Sequence, residues 1–411
     1  MFKDREIFDQ LSVARPSPLR SGVVGPDFGL IPGIEPLRIP PGAIRAQALV
    51  DRSPSFPAFI GACLPEQSSC GFGADSDQLY GSATGEFVER YSAGYVPDRV
   101  TSLDCPIIPA SRFVPFTDAQ YAADGFPYVH PSSVPDIPYV KVHRAIDHSA
   151  AGVPADLVYL NPADRQRWCT VTSNGLGAGR TYGAAARSAV FELIERDAFM
   201  RAWYGKRGGV TLRLPTHIPE SFSPRLKDIC RQLRLLDVEV TLVRFEGVGG
   251  VPVILSCARS DKVGLAVGCS SKPDVRNAMA AAFTESVQTY NWGLSAKGDA
   301  PDDSSVTSLE GHIAFHARIE NRGLNEFIDD GPAVSELEFI RDGVSPLFHT
   351  LRAVEDSGWQ VYLGDVRSTD VVAQGWHVVR ALSPQAATLD VDEPHMRQHP
   401  GAVNLAPHPF P

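Results

Sequence analysis

Two short stretches repeat one set of polar residues. Ser188, Glu192, Glu195 and Arg196 stand in the spacing S-x-x-x-E-x-x-E-R, and Ser82, Glu86, Glu89 and Arg90 repeat it upstream. With each residue type at roughly 5–7% of an average chain, a chance second match has a probability on the order of 1% or less. On a helix of about 3.6 residues per turn, the serine and both glutamates fall along one stripe. Carboxylates one turn apart repel, and burial sharpens the repulsion unless a cation lies between them. Two such helices facing one another gather four carboxylates, the ligand chemistry of a hard divalent cation. Magnesium fits, because it takes oxygen donors and is commonly shared with phosphate. Glu86, Glu89, Glu192 and Glu195 are therefore the expected metal ligands. The competing reading is two solvated helix faces, the usual fate of Glu/Arg runs; the duplication weighs against it.

The local sequence supplies elements to carry these residues. Gly175, Gly177 and Gly179 lead to Thr181, an expected N-cap ahead of an alanine-rich, helix-forming run. Phe191, Ile194 and Ala198 form the apolar stripe beside the acidic one. The first acidic helix is expected over 78–93, after a Gly71-Phe72-Gly73 turn, with Phe87, Val88 and Tyr91 toward the core. A third helix is expected from Asp274, with Met279, Phe283, Val287 and Tyr290 inward and Glu285, Gln288 and Trp292 on another face. Ser223-Pro224 opens a further helix. Strands are expected over 139–142, 155–160, 238–245, 251–258, 263–269, 360–363 and 377–381. The fold class is α/β (α+β), with mixed sheets. A Pro/Gly-rich segment over 1–60 is expected to pack along the body, which spans 61–411; the Asp/Ser-rich 299–312 reads as a mobile loop. Pro407, Pro409 and Pro411 alternate at the end, as either a stiff frayed tail or one inserted beside the site.

Composition narrows the partners. The 411 residues carry a net charge of −10, which argues against a nucleic-acid partner held through its phosphates. No run approaches the roughly 18–20 apolar residues of a membrane span, and the charged N-terminus lacks a signal core, so the expected compartment is the cytoplasm. Seven cysteines, odd in number and without a C-x-x-C pair, support neither a zinc ribbon nor a disulfide framework.

The chain resembles the YcaO family in three places: SATGEFVER (82–90), the stretch from SNGLGAG through ELIERD (173–197) and AMAAAFTESVQ (278–288). The closing PHPFP is similar to the proline-alternating end of the azoline-forming subgroup. The resemblance implies an ATP- and magnesium-dependent cyclodehydratase of a ribosomally synthesised precursor peptide, of the thiazole/oxazole-modified microcin and bacteriocin kind. Glu86, Glu89, Glu192 and Glu195 would hold magnesium and, with Ser82, Arg90, Ser188, Arg196, Glu285 and Gln288, the nucleotide. Arg196 and the carboxylate of Pro411 would serve catalysis. A chain of this size resembles the stand-alone catalytic half, whose partners are an E1-like leader-binding protein and, in many systems, a flavin-dependent azoline dehydrogenase; a homodimer is a further candidate state. Many relatives have Ser, Asn and Glu where Gly177, Arg180 and Ala184 stand here, which removes one metal ligand. Two alternatives follow. One is thioamide formation with external sulfide, against which the proline tail argues. The other is a non-catalytic ATP-binding scaffold, favoured by Ala184.

Overall fold

The Thr181 hydroxyl accepts the amide of Ala184 at 3.1 Å and starts a 23-residue helix around which the molecule is layered. The computed structural model describes residues 22–25, 29–36, 42–44, 48–51, 70–72, 76–94, 103–113, 115–160, 166–214, 217–296, 306–341, 346–397, 402–404 and 406–410, and the statements below concern these. The strands are β1 Ile34–Pro36, β2 Ala48–Asp51, β3 Cys70–Phe72, β4 Tyr139–Arg144, β5 Ala150–Pro154, β6 Leu176–Gly179, β7 Val210–Leu214, β8 Glu239–Glu246, β9 Pro252–Arg259, β10 Ala266–Ser270, β11 Tyr362–Asp365 and β12 His377–Leu382. The main helices are α1 Ser76–Ala93, α2 Tyr182–Tyr204, α3 Pro224–Leu235, α4 Val275–Ala296, α5 Leu309–Ala317 and α6 Leu347–Asp356.

Strand alternation sorts the layers. A five-stranded sheet runs β5-β4-β11-β12-β6, a four-stranded sheet β10-β9-β8-β7, and a small sheet β1-β2-β3. On β12, Val378 and Leu382 join the core formed with Phe87, Val88 and Tyr91 of α1, while Val379 and Ala381 join the core around α2. On β9, Val253, Leu255 and Cys257 face α2, and Ile254 and Ala258 face the core of α3 and α4. The order of layers is thus α1, sheet, α2, sheet, then α3 with α4. Being covered by both sheets, α2 is apolar around most of its circumference. Phe191 and Phe199 are 1% exposed or less, and each contributes roughly 1.5–3 kcal/mol by burial.

Two glycines set how closely helices lie on the edge strands. A methyl group on Gly177 of β6 would come within 2.5 Å of the Ala189 nitrogen of α2. One on Gly268 of β10 would come within 2.4 Å of the Ala282 oxygen and the Ser286 nitrogen of α4. Backbone therefore packs directly on backbone at both places.

Several expectations shift. Where mixed sheets were expected, every ladder is antiparallel, and parallel pairing occurs in isolated bridges such as Val24 with Ile31. The reason is that α2 carries the chain from β6 into the other sheet instead of returning it beside its starting strand. The strand expected over 155–160 lies earlier, at β5, and ends at Pro154, after which Ala155–Leu157 form a 3-10 turn. Gly71 and Phe72 belong to β3 rather than to a turn, and Gly73 lies outside the described residues. Where a mobile loop was expected over 299–312, Ser308 caps α5 by accepting the Gly311 amide at 3.1 Å; 297–305 lie outside the described residues. Most of 1–60 also lies outside them. Of the part within, Ile44 is fully buried against α4, exchanging two 2.9 Å hydrogen bonds with the Asn291 side chain.

Candidate active site

The acidic stripes of α1, α2 and α4 meet at the outer edges of the two large sheets. An edge strand presents unpaired amides, and here carboxylates take them. At β6, the amide of Ala178 acts on Glu89 of α1, and that of Gly175 on Glu192 of α2, each favouring the charged carboxylate. Gly175 has φ +76°, a left-handed turn that glycine adopts without strain. At β10, Cys269 N donates to Glu285 Oε2 of α4 and Ser271 N to Glu195 Oε2 of α2, both at 2.8 Å. β10 thus fixes one carboxylate from each of its two flanking helices, and the amides at β6 act on one from each of theirs.

The carboxylates are crowded enough to resist ionisation. Burial, with Glu192 and Glu86 adding repulsion, raises Glu89 to about 8. Burial raises Glu195 to about 8 against the pull of Arg196, with Glu285 adding to the rise. Glu285 is raised to about 7 by burial and Glu192 by burial as well, each opposed first by Arg196. Glu86 is the outlying member: it pairs with Arg90 at 2.7 Å and stays 31% exposed. Arg196 stands between the groups, its Nε 3.9 Å from Glu192 and 3.8 Å from Glu195, and this nitrogen has no hydrogen-bond partner. Lys272 acts on Glu192, Glu195 and Glu285 from just past β10. Ser188 and Gln288 are half-buried on the same helices, and Ser82 is exposed at the head of its stripe.

The proline tail enters this site. Phe410 is fully buried, with the Arg196 guanidinium 4.0 Å from its ring centroid and Phe199 edge-on at 5.0 Å. Alternating prolines cannot donate in a ladder, so the tail is held carbonyl by carbonyl. Trp203 Nε1 donates to Ala406 O at 2.9 Å, His316 Nε2 to Pro407 O at 2.6 Å and His312 Nδ1 to His408 O at 2.6 Å. His408 Nε2 donates to Asp390 O at 2.7 Å while its Nδ1 accepts the Phe410 amide at 3.2 Å. Burial lowers all three histidines, His316 to about 3, so they stay neutral. His312, Glu393 and His408 offer ligand atoms within 4.8 Å of one another, but His312 Nδ1 and both His408 nitrogens are already taken by these hydrogen bonds, which hold the tail. Pro411 itself lies outside the described residues.

The departures noted in the sequence also have places. Gly177 is confined to glycine by its contact with α2. Arg180 lies over the Trp376 ring at 4.0 Å and donates to Gln374 O at 2.8 Å. Ala184 sits in the capped first turn of α2. Burial pushes the Cys257 and Cys269 thiols well above the usual range, which removes them as nucleophiles.

Sequence reasoning missed Arg380 on β12, 5% exposed, whose charge acts on Glu192 and Glu89. The signal available was an arginine inside the apolar run HVVRAL, where a buried charge needs a reason. The histidines of α5 were missed because their partners are tail carbonyls roughly 90 residues away in sequence.

The donor set fits magnesium with phosphate. Buried carboxylates that resist ionisation call for cations, and nearby guanidinium donors without partners call for anionic oxygens. A metal–phosphate group supplies both.

Comparison with known proteins agrees. A family model described as YcaO cyclodehydratase, ATP- and Mg2+-binding, matches residues 70–387. No curated protein matches. Among solved structures, a heterocyclase in complex with substrate and cofactor superposes with a TM-score of 0.68 at 18% identity, covering 89% of this chain. This chain spans 51% of that protein's length. YcaO from Methanopyrus kandleri, bound with AMPPCP and Mg2+, gives 0.62 at 18% identity, with 90% of each chain covered. The E. coli microcin synthetase McbBCD complex gives 0.61 at 12% identity, covering 86% of this chain and 88% of the other. No helix among the described residues is long and apolar enough to cross a membrane.

Proposed function

The chain belongs to the YcaO family, whose domain binds ATP and Mg2+, and from that premise we propose that it cyclodehydrates Cys, Ser or Thr residues of a ribosomally made precursor peptide to thiazolines or oxazolines. One observation carries the reading: glutamates of three helices crowd together beside guanidinium donors that have no partner. Glu86, Glu89, Glu192 and Glu195 hold magnesium, and Glu285 stands among them. Arg90, Arg196 and Gln288 serve the phosphates and nucleotide, with Ser82 and Ser188 heading the two stripes.

Bound ATP supplies the phosphoryl group that turns an amide oxygen into part of a leaving phosphate. The peptide's own thiol or hydroxyl attacks the preceding carbonyl carbon, and the ring closes with net loss of one water. Arg196, stacked on Phe410, is held where it can neutralise a developing oxyanion without reorganising. The carboxylate of Pro411 is the second group proposed to serve catalysis. The buried tail favours this chemistry over thioamide formation. An E1-like protein presents the precursor's leader, and a flavin dehydrogenase can follow; the E. coli microcin synthetase McbBCD complex with pro-MccB17 bound is the kind of assembly meant.

The test mixes the protein with ATP, Mg2+, the partner and the precursor encoded beside it, and weighs the product. Loss of one water's mass per modified residue supports the reading. A gain corresponding to sulfur in place of oxygen supports thioamide formation. An unchanged mass with intact ATP binding supports a scaffold.

A further inference from the structure

Arg380 lies on β12 between Val378 and Leu382, on the face turned toward α1. It is nearly enclosed, yet its Nε and Nη1 have no hydrogen-bond partner. Its charge acts most on Glu192 of α2 and next on Glu89 of α1. Buried guanidiniums usually close on carboxylates through short paired bonds, because an unmet donor away from water is costly. Balancing the two glutamates accounts for the charge of Arg380 but not for its open donors. Arg380 also lines a pocket with Phe113, Cys169, Thr170, Asn174 and Arg397.

We propose that Arg380 is a phosphate-binding residue of the nucleotide site, its Nε–H and Nη1–H donating to oxygens of the ATP terminal phosphate. The proposal rests on the reading of the glutamates given above. An oxygen shared with a magnesium ion held by Glu89 and Glu192 would lie beside this guanidinium and carry the negative charge it recognises. A neutral peptide carbonyl would leave the positive charge unanswered once magnesium occupies the glutamates. Arg380 would then brace the transferring phosphoryl from β12 while Arg196 acts from α2.

The test compares the affinity of the full chain for ATP, ADP and AMP in Mg2+, by calorimetry, for the wild type and Arg380→Met. The expected result is at least a tenfold loss for ATP, a smaller loss for ADP and no change for AMP. Unchanged ATP affinity, or an equal loss for all three, overturns the proposal; the second outcome means Arg380 acts only by supporting the fold. If Arg380→Met does not fold, Arg380→Lys takes its place, since it keeps the charge and loses the guanidinium geometry. The same graded loss is expected, and an unchanged affinity again overturns the assignment. A wild type that binds ATP no better than AMP refutes the triphosphate reading of the glutamates themselves, a failure distinct from that of Arg380.

Discussion

Glu195→Gln should make the metal-free protein more stable and inactive at once. Glu195 is 7% exposed, and burial raises it from its ordinary 4.5 to about 8. The folded state therefore holds this proton more tightly than the unfolded chain does. The cost of ionisation is absent below about pH 4.5, grows through the interval and is complete above about pH 8. At about 1.36 kcal/mol per pH unit it reaches on the order of 3–5 kcal/mol. Glutamine removes that cost, and its amide oxygen still accepts the Ser271 amide that Glu195 accepts now at 2.8 Å. In chelator-treated protein at pH 8.5 the variant should melt several degrees above the wild type, and at pH 4.5 the two should melt together. ATP turnover with Mg2+ should be lost, because a neutral amide is a poor ligand for this cation. A variant that melts below the wild type at pH 8.5, or that keeps wild-type turnover, would refute the argument that Glu195 is a strained ligand awaiting a metal.

Three further outcomes follow from the same geometry. Magnesium–nucleotide binding should release protons near pH 7, since Glu89 and Glu195 are both raised to about 8 and must ionise to ligate; affinity should rise from pH 6 to 8, and calorimetry in buffers of different ionisation enthalpy reads the proton count. Phe410→Ala should cost about 3–5 kcal/mol through its cavity and lower turnover by freeing Arg196; full kcat in a destabilised protein would show that the tail does not position that guanidinium. Gly268→Ala should cost roughly 1–3 kcal/mol by overpacking and weaken magnesium–nucleotide binding, because the added methyl pushes α4, and Glu285 with it, off β10; thermal scans and titrations check both.

The helix faces that carry the candidate site residues were legible in the sequence because their signal is local. Thr181 announces the start of α2 by a side chain that reaches only three residues ahead, and the glutamates of α1 and α2 share a face because helical periodicity depends on nothing distant. The strand positions were legible to within a few residues, since alternation is also a short-range property. What one strand does to another was not. Whether β6 and β10 are edges, and so have amides free to hold Glu89, Glu192, Glu195 and Glu285, is decided by sheet order, and sheet order is set by where α2 delivers the chain. The tail shows the same division. The alternating prolines by themselves fix a stiff extended shape, but whether it frays or enters the site depends on His312 and His316 meeting its carbonyls, a match made by two helix residues and a segment far along the chain. The sequence determined which groups this protein owns and which face of each helix carries them. The tertiary structure alone decided which groups share a pocket, because repulsion, desolvation and an unmet donor depend on distances that no spacing along a chain records.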